Sequence, residues 1–228
     1  MRTIFSINKY CRCDEKIVIL PSHSIITRQN RLILKQSIDT STIEADLKSC
    51  LDVLRRGGLI LYPTDTIWGI GCDATNAEAV ARVYALKQRD DSKAMLVLID
   101  DVERLDHYVV DVPYIAAELI DVAVKPLTII YDGAFNVAHN LLGDRDSLGI
   151  RVTRERFTNE LCRRLGHPLV STSANLSGRP APAVWRDIDP AIVAGVDYAV
   201  NYRRDDNSPA SPSNIIRLAA DGTFKIIR

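Results

Sequence analysis

Three cations, Lys87, Arg89 and Lys93, stand within the seven-residue run Lys87-Gln88-Arg89-Asp90-Asp91-Ser92-Lys93. A guanidinium fork and ammonium point charges can grip phosphate or carboxylate oxygens, although such a run also suits a solvated loop, and Lys87 also suits the end of a helix dipole. In Leu169-Val170-Ser171-Thr172-Ser173-Ala174-Asn175, strand alternation puts Ser171, Ser173 and Asn175 on one face and Thr172 and Ala174 on the other. That face suits a ligand pocket or a buried hydrogen-bonded seam. Tyr62-Pro63-Thr64-Asp65-Thr66-Ile67-Trp68-Gly69-Ile70-Gly71 puts hydroxyls and an acid just past an apolar run, where α/β sheets form ligand sites and where a self-satisfied turn also fits. Arg151 is the one charge in the run Leu148–Val152, and a charge in a half-buried strand needs a partner. The segment from Ser208 to Arg217 and the terminal Arg228 are polar enough to contribute, or to be a loop and a frayed end. Histidines 23, 107, 139 and 167 lack ligand spacing and stand in no recognisable relation to the serines. Neither a protein-built metal site nor a hydrolase triad is expected.

The chain that must position these residues has 228 of them, enough for one large domain. Lys and Arg number 29 against 29 Asp and Glu, so no bulk field draws it to nucleic acid or an anionic membrane, and a bound anion needs a local cluster. Its 46% hydrophobic and 25% charged residues are ordinary for a soluble globular protein. Five cysteines without a Cys-x-x-Cys spacing fit neither a disulfide framework nor a zinc site, which points to the reducing cytoplasm. No apolar run approaches the roughly 20 residues of a membrane helix, so no membrane association is expected.

Residues 1–35 read as an N-terminal extension whose order the pattern leaves open, and 36–228 as one domain. Ser41-Thr42-Ile43-Glu44 has capping-box spacing, and Ile43, Leu47, Leu51 and Leu54 share a helical face that Gly57-Gly58 ends. A strand over 58–62 follows, then a second capping box at Thr75-Asn76-Ala77-Glu78, opening a helix that ends near Lys87. Strands are expected at 94–99, 127–131, 148–152, 169–172, 198–202, 214–218 and 223–227. Helices are expected over 111–124, with Pro113 at the first helical position, and through Phe157, Leu161 and Leu165 to Gly166. The interleaving predicts an α/β fold around a single open, twisted, mixed sheet with flanking helices, its last two strands antiparallel across the short turn at 219–222.

Taken in order, six segments resemble the YrdC-like family, the L-threonylcarbamoyladenylate synthases. They are Tyr62-Pro63-Thr64-Asp65-Thr66 with Gly69-Ile70-Gly71; Leu86-Lys87-Gln88-Arg89 with Lys93; Pro126-Leu127-Thr128; Gly149-Ile150-Arg151-Val152; Ser171-Thr172-Ser173-Ala174-Asn175-Leu176-Ser177-Gly178; and Ser211-Pro212-Ser213-Asn214-Ile215. The likeness covers residues 41–228 and leaves the leader uncovered. It implies a concave, positively lined cavity in the short, single-domain form of the family. The implied reaction makes threonylcarbamoyl-AMP and pyrophosphate from L-threonine, bicarbonate and ATP, for a tRNA modification completed by a downstream threonylcarbamoyl-transferase complex.

A carbamate can form from threonine's amine and CO2 without a protein nucleophile, and its carboxylate oxygen can then attack the α-phosphate. The site must supply positioning and charge stabilisation. By resemblance, Thr66, Arg151 and Ser213 hold threonine. Arg89, Lys93, Thr128, Ser171, Ser173, Asn175 and Arg228 surround the nucleotide, Lys87, Arg89 and Lys93 stabilise the transferring phosphate, and Mg2+ sits mainly on ATP phosphates and waters. Two departures stand out: Lys125 replaces a glycine common before the strand threonine, and Asp90 replaces a proline after the cation-loop arginine. The rival expectation is a non-catalytic tRNA- or double-stranded RNA-binding protein of the same fold, which zero net charge disfavours. A carbamoyl-transfer module of hydrogenase-maturation type would need acylphosphatase and zinc-finger-like neighbours that this sequence lacks.

Overall fold

A computed structural model of the chain describes residues 18–19, 25–26, 28–88, 95–208 and 210–228, with side chains from Thr40 onward except at 89–94 and 209. The chain divides into two units, Met1–Thr42 and Ile43–Arg228. In the first, β1 (Val18–Ile19) pairs antiparallel with β2 (Ile25–Ile26), and α1 (Arg28–Arg55) begins there and runs on into the second. The capping box expected at Ser41 is therefore not a helix start. Ser and Thr cost only a few tenths of a kcal/mol inside a helix, and good helix formers such as Leu, Lys, Gln and Arg precede them. The expected apolar face holds: Ile43, Leu47, Leu51 and Leu54 are all buried.

The second unit carries β3 (Ile60–Tyr62), β4 (Gly69–Gly71), α2 (Ala77–Lys87), β5 (Leu96–Ile99), α3 (Ala116–Val122), β6 (Leu127–Tyr131), β7 (Leu148–Val152), α4 (Arg156–Leu165), β8 (Leu169–Ser173), α5 (Pro190–Gly195), β9 (Tyr198–Ala199), β10 (Asn214–Leu218) and β11 (Phe224–Ile226). Its nine strands form a single mixed sheet in the order β11-β10-β6-β7-β5-β8-β4-β3-β9. The β5–β7, β6–β10 and β3–β9 pairs are parallel and the rest antiparallel, including β10 with β11. Helix α4 packs against β5, and α2 against α5.

Several boundaries move for identifiable reasons. The cap of α2 is Asn76, whose side chain accepts from the Ala79 amide, because Thr75 donates its hydroxyl and its amide to Asp73 instead. Helix α3 starts after Pro113, whose carbonyl takes the Ala116 amide in a turn at 2.9 Å. Strand β9 stops at Ala199 rather than Tyr202, because the amides of Asn201 and Tyr202 leave the ladder for the buried Asp46 carboxylate at 2.9 and 2.8 Å. Asp46 also accepts from Tyr198 Oη at 2.6 Å and Asn201 Nδ2 at 3.0 Å, tying α1 to the segment that leaves the sheet. Of the strand expected from residue 94, Ala94 lies outside the described residues. Strand β4 and helix α5 were not anticipated.

Two carboxylates shape the acid response of this unit. Glu160 is held down at about 2 by Arg163 and Arg164, and Asp206 at about 2 by Ser208 and Arg203. Depressed folded values mean stabilisation fully present above the ordinary values near 4 and lost as pH falls through about 2. Melting temperature should therefore drop between about pH 4.5 and 2. Glu160→Gln should flatten that drop by only about 1–3 °C, because both partner arginines face water. A thermal-melt series across that window checks it, and a variant matching the wild-type slope would refute it.

Candidate functional site

The register of the sheet builds a cavity floor. Arg217 of β10 lies opposite Ile130 of β6, Ile130 opposite Gly149 of β7, Gly149 opposite Leu96 of β5, and Leu96 opposite Ser171 of β8. All five line one cavity of about 360 Å³. Side chains at alternate positions share a face, so Thr128, Arg151, Ser173, Ser213 and Ile215 join the same lining. Gly149 leaves the middle of the floor without a side chain, where a Cβ would meet Leu96 Cβ and Thr128 Cγ2 at 3.3 Å each. The rest of the lining comes from Thr66, Ile67, Trp68, Gly69, Ala181, Pro212 and Arg228.

Arg151, only 3% exposed, is the most deeply set cation of the lining. Its Nη2 lies 3.0 Å from Asp65 Oδ1, off the angle of a formed hydrogen bond, and its buried Nε has no partner. One donor edge of the guanidinium is therefore unsatisfied, a cost that a ligand carboxylate would relieve. Burial pushes the Asp65 carboxyl above the usual carboxylate range, and Arg151 opposes that shift.

The hydroxyls are ordered by their donors. Thr64 Oγ1 donates to the Ile67 carbonyl at 2.8 Å, which uses its only proton, so the 2.9 Å contact between Thr66 and Thr64 hydroxyls has Thr66 donating. Thr66 then has only lone pairs left for the cavity, suited to an N–H donor. Thr128 and Ser213 share a hydrogen bond at 2.8 Å. Arg228 is steered inward by paired backbone bonds with Ile215 and by Nε donating to Ser213 O at 3.2 Å. Arg217 is held between Asp132 at 2.7 Å and Ser147 at 3.4 Å. Three arginines and seven Ser or Thr residues line the cavity, with no acid among the described lining residues. Such a lining selects a ligand rich in anionic oxygens.

Of the residues singled out from sequence, Thr66, Thr128, Arg151, Ser171, Ser173, Ser213 and Arg228 come together here. Lys87 and Asn175 do not line the cavity. Lys87 is buried at the end of α2 and donates to the Ser173 carbonyl and, at 2.6 Å, to the Asn175 carbonyl. Asn175 lies past the end of β8, where its Nδ2 donates to Leu176 O and Arg179 O. Arg89 and Lys93 lie outside the described residues. Sequence reasoning passed over Ser147, quoted Trp68 and Arg217 within their segments without giving either a role, and placed Thr172 on the face away from Ser171, whereas all four line the cavity. Among the described residues no three His, Cys, Asp or Glu group as metal ligands, and no helix is long and apolar enough to cross a membrane.

The fold and cavity define an α/β protein with a hollow lined by arginines and hydroxyls on one sheet face. The family model Sua5_yciO_yrdC, described as "Telomere recombination", matches residues 52–228. A threonylcarbamoyl-AMP synthase of Thiobacillus denitrificans is 40% identical over 179 residues, spanning 77% of this chain and 90% of that protein. One of Xanthomonas campestris pv. campestris is 33% identical over 156 residues, 67% of this chain and 83% of that one. The chain belongs to the Sua5/YciO/YrdC family. Among solved structures, E. coli YciO matches with a TM-score of 0.70 and 25% identity over 82% of this chain and 89% of that one. P. abyssi Sua5 complexed with L-threonine shares the fold at a TM-score of 0.70 and 21% identity, over 80% of this chain. The present chain spans only 53% of that Sua5 chain.

Proposed function

We infer that the protein is a threonylcarbamoyl-AMP synthase, a nucleotidyltransferase that joins L-threonine, bicarbonate and ATP and releases pyrophosphate, for tRNA threonylcarbamoyladenosine modification. The observation that carries this reading is the convergence of Thr66, Arg151, Ser171, Ser173 and Ser213 on one cavity. The 40% identity to a relative of that name supports it. In this reading residues 36–228 are the catalytic domain. Threonine's carboxylate takes the free edge of Arg151, its amine donates to Thr66, and Ser213 assists. Bicarbonate supplies CO2; the amine attacks it and loses a proton, forming the carbamate. A carbamate oxygen then bonds to the α-phosphorus while the bond to the β-phosphate oxygen breaks.

Thr128, Ser171, Ser173 and Arg228 face the nucleotide in this scheme. Arg89 and Lys93 are assigned to its phosphates from the sequence alone. Lys87 and Asn175 act by fixing the end of β8, and so Ser173, rather than by touching ligand. Mg2+ would neutralise phosphate charge, and hydroxyls without carboxylates among the described lining residues fit an ion held mainly by the nucleotide. The product is a labile mixed anhydride, which calls for a downstream transferase acting on tRNA. The buried free thiols Cys50, Cys72 and Cys162 suit the reducing cytoplasm. The test is pyrophosphate release from ATP, Mg2+ and bicarbonate with each amino acid in turn. Release that requires threonine is the expected result, whereas salt-sensitive RNA binding without turnover would replace this reading with the RNA-binding one.

A further inference from the structure

Arg203 lines no part of the main cavity, yet its guanidinium reaches the loop that forms one wall. Its Nη1 donates to the Thr64 carbonyl at 3.0 Å. Nε and Nη2 both engage Asp206 Oδ2, at 3.0 and 2.9 Å, and Glu155 Oε1 lies 3.9 Å from Nη1. Asp206 in turn accepts the Ser208 amide at 2.9 Å, so the carboxylate that aims Arg203 is itself fixed. Arg203 also takes a left-handed backbone, φ 65°, a conformation unfavourable for a non-glycine residue. Its surroundings hold it there: Asp46 binds the amides of Asn201 and Tyr202 just before it. Arg204 just after it donates to the Ala199 and Val200 carbonyls and stacks 4.2 Å over Trp185, whose ring lies 5.0 Å from that of Trp68.

The consequence falls on Thr66. The Thr64 carbonyl that Arg203 holds belongs to the residue whose hydroxyl bonds Thr66 Oγ1, the Thr66 amide and the Ile67 carbonyl. From the side of α4, Thr158 Oγ1 lies 2.9 Å from the carbonyl of the preceding Pro63. The one Thr158 proton is shared between the Pro63 carbonyl and Glu155 Oε2, so the firmer hold on this turn is that of Arg203, which belongs to the connection that goes on to Pro212 and Ser213 in the cavity lining.

We propose that Arg203 is a positioning residue for the amino-acid substrate: it fastens the Thr64–Trp68 turn to the β9–β10 connection and so fixes the acceptor hydroxyl of Thr66. This rests on the threonylcarbamoyl-AMP synthase reading. Arg203→Ala should raise the KM for threonine on the order of tenfold, while the KM for ATP and kcat change less than about threefold. Arg203→Lys, which keeps a donor for the Thr64 carbonyl, should recover most of the loss. Independently of turnover, hydrogen exchange at the Thr66, Ile67 and Trp68 amides should quicken about tenfold in Arg203→Ala and not in Arg203→Lys. Unchanged exchange there, or equal rises in the KM for threonine and ATP, overturns the proposal. Faster exchange in the variant of a protein whose wild type shows no threonine-dependent turnover leaves the fastening standing and overturns the synthase reading instead.

Discussion

Arg151→Ala is expected to cut threonine-dependent pyrophosphate release about a thousandfold while leaving the affinity for an ATP analogue within about threefold. The size follows from burial. A charge-assisted bond between a ligand carboxylate and a guanidinium at 3% exposure is screened by little water, and losing one partner of such a pair costs about 3–5 kcal/mol. The selectivity follows from placement. Arg151 meets Asp65 at 3.0 Å at the turn that carries Thr66, whereas Arg228 reaches the cavity from the C-terminal end beside Ser213. The variant also strands Asp65, whose carboxyl burial already pushes up against the pull of Arg151. Without that pull the carboxyl rises further, so the folded variant takes up a proton at a pH where the unfolded chain does not. Relative to wild type, the variant should therefore gain stability as pH falls toward the ordinary aspartate value. If the single variant fails to fold, Asp65→Asn with Arg151→Ala removes the stranded charge and keeps the assay possible. Calorimetric titration with threonine and with the analogue decides the matter: equal loss of both ligands would mean that Arg151 shapes the whole cavity instead of holding a carboxylate.

Much of this site was legible along the chain, and the limit has a physical origin. β6, β7 and β10 begin and end where their runs of β-branched and large apolar residues do, and α4 stops at Gly166 because that glycine takes the left-handed cap, φ 77°. Such signals are local. Ser171 and Ser173 line the cavity as strand alternation requires, but Thr172, which alternation puts on the other face, lines it as well, and Asn175 leaves it because β8 ends at Ser173, beyond which alternation says nothing. Lys87 shows a second limit. Spacing marks it as a cation beside a ligand loop, yet its four-carbon stem lets the ammonium turn inward to the Ser173 and Asn175 carbonyls. The row from Arg217 to Ser171 lies furthest from local reading. It is set by the register of five strands whose members come from widely separated parts of the chain, so the lone charge of β10 could be read as needing a partner but not as sharing a cavity with Ser171.

The Gly69-Ile70-Gly71 strand yields the largest expected stability effect and separates two glycines that look alike in sequence. A Cβ on Gly71 would stand 2.5 Å from the Val170 carbonyl oxygen and 2.7 Å from Tyr62 Cε1. Neither can retreat freely. Tyr62 is fully buried and donates its hydroxyl to that same carbonyl at 3.1 Å, and Gly71 is held in register with Ile60 while Ile70 faces Thr172. Relief requires parting β4 from β8 or expelling the ring, so Gly71→Ala should destabilise by roughly 3 kcal/mol, about 6–12 °C in Tm for a domain of this size. Gly69→Ala meets Ser171 Oγ and Thr64 Cγ2 at 3.4 Å and the Thr172 carbonyl oxygen at 3.5 Å, which is ordinary contact. It should keep its Tm within about 3 °C while narrowing the cavity mouth, and so raise the KM for substrate without unfolding the protein. Equal melting temperatures for the two variants would show that β4 does not approach β8 as closely as the register requires. A normal Tm for Gly71→Ala would take with it the placing of Trp68 and Thr66, since β4 anchors the end of the turn that carries both.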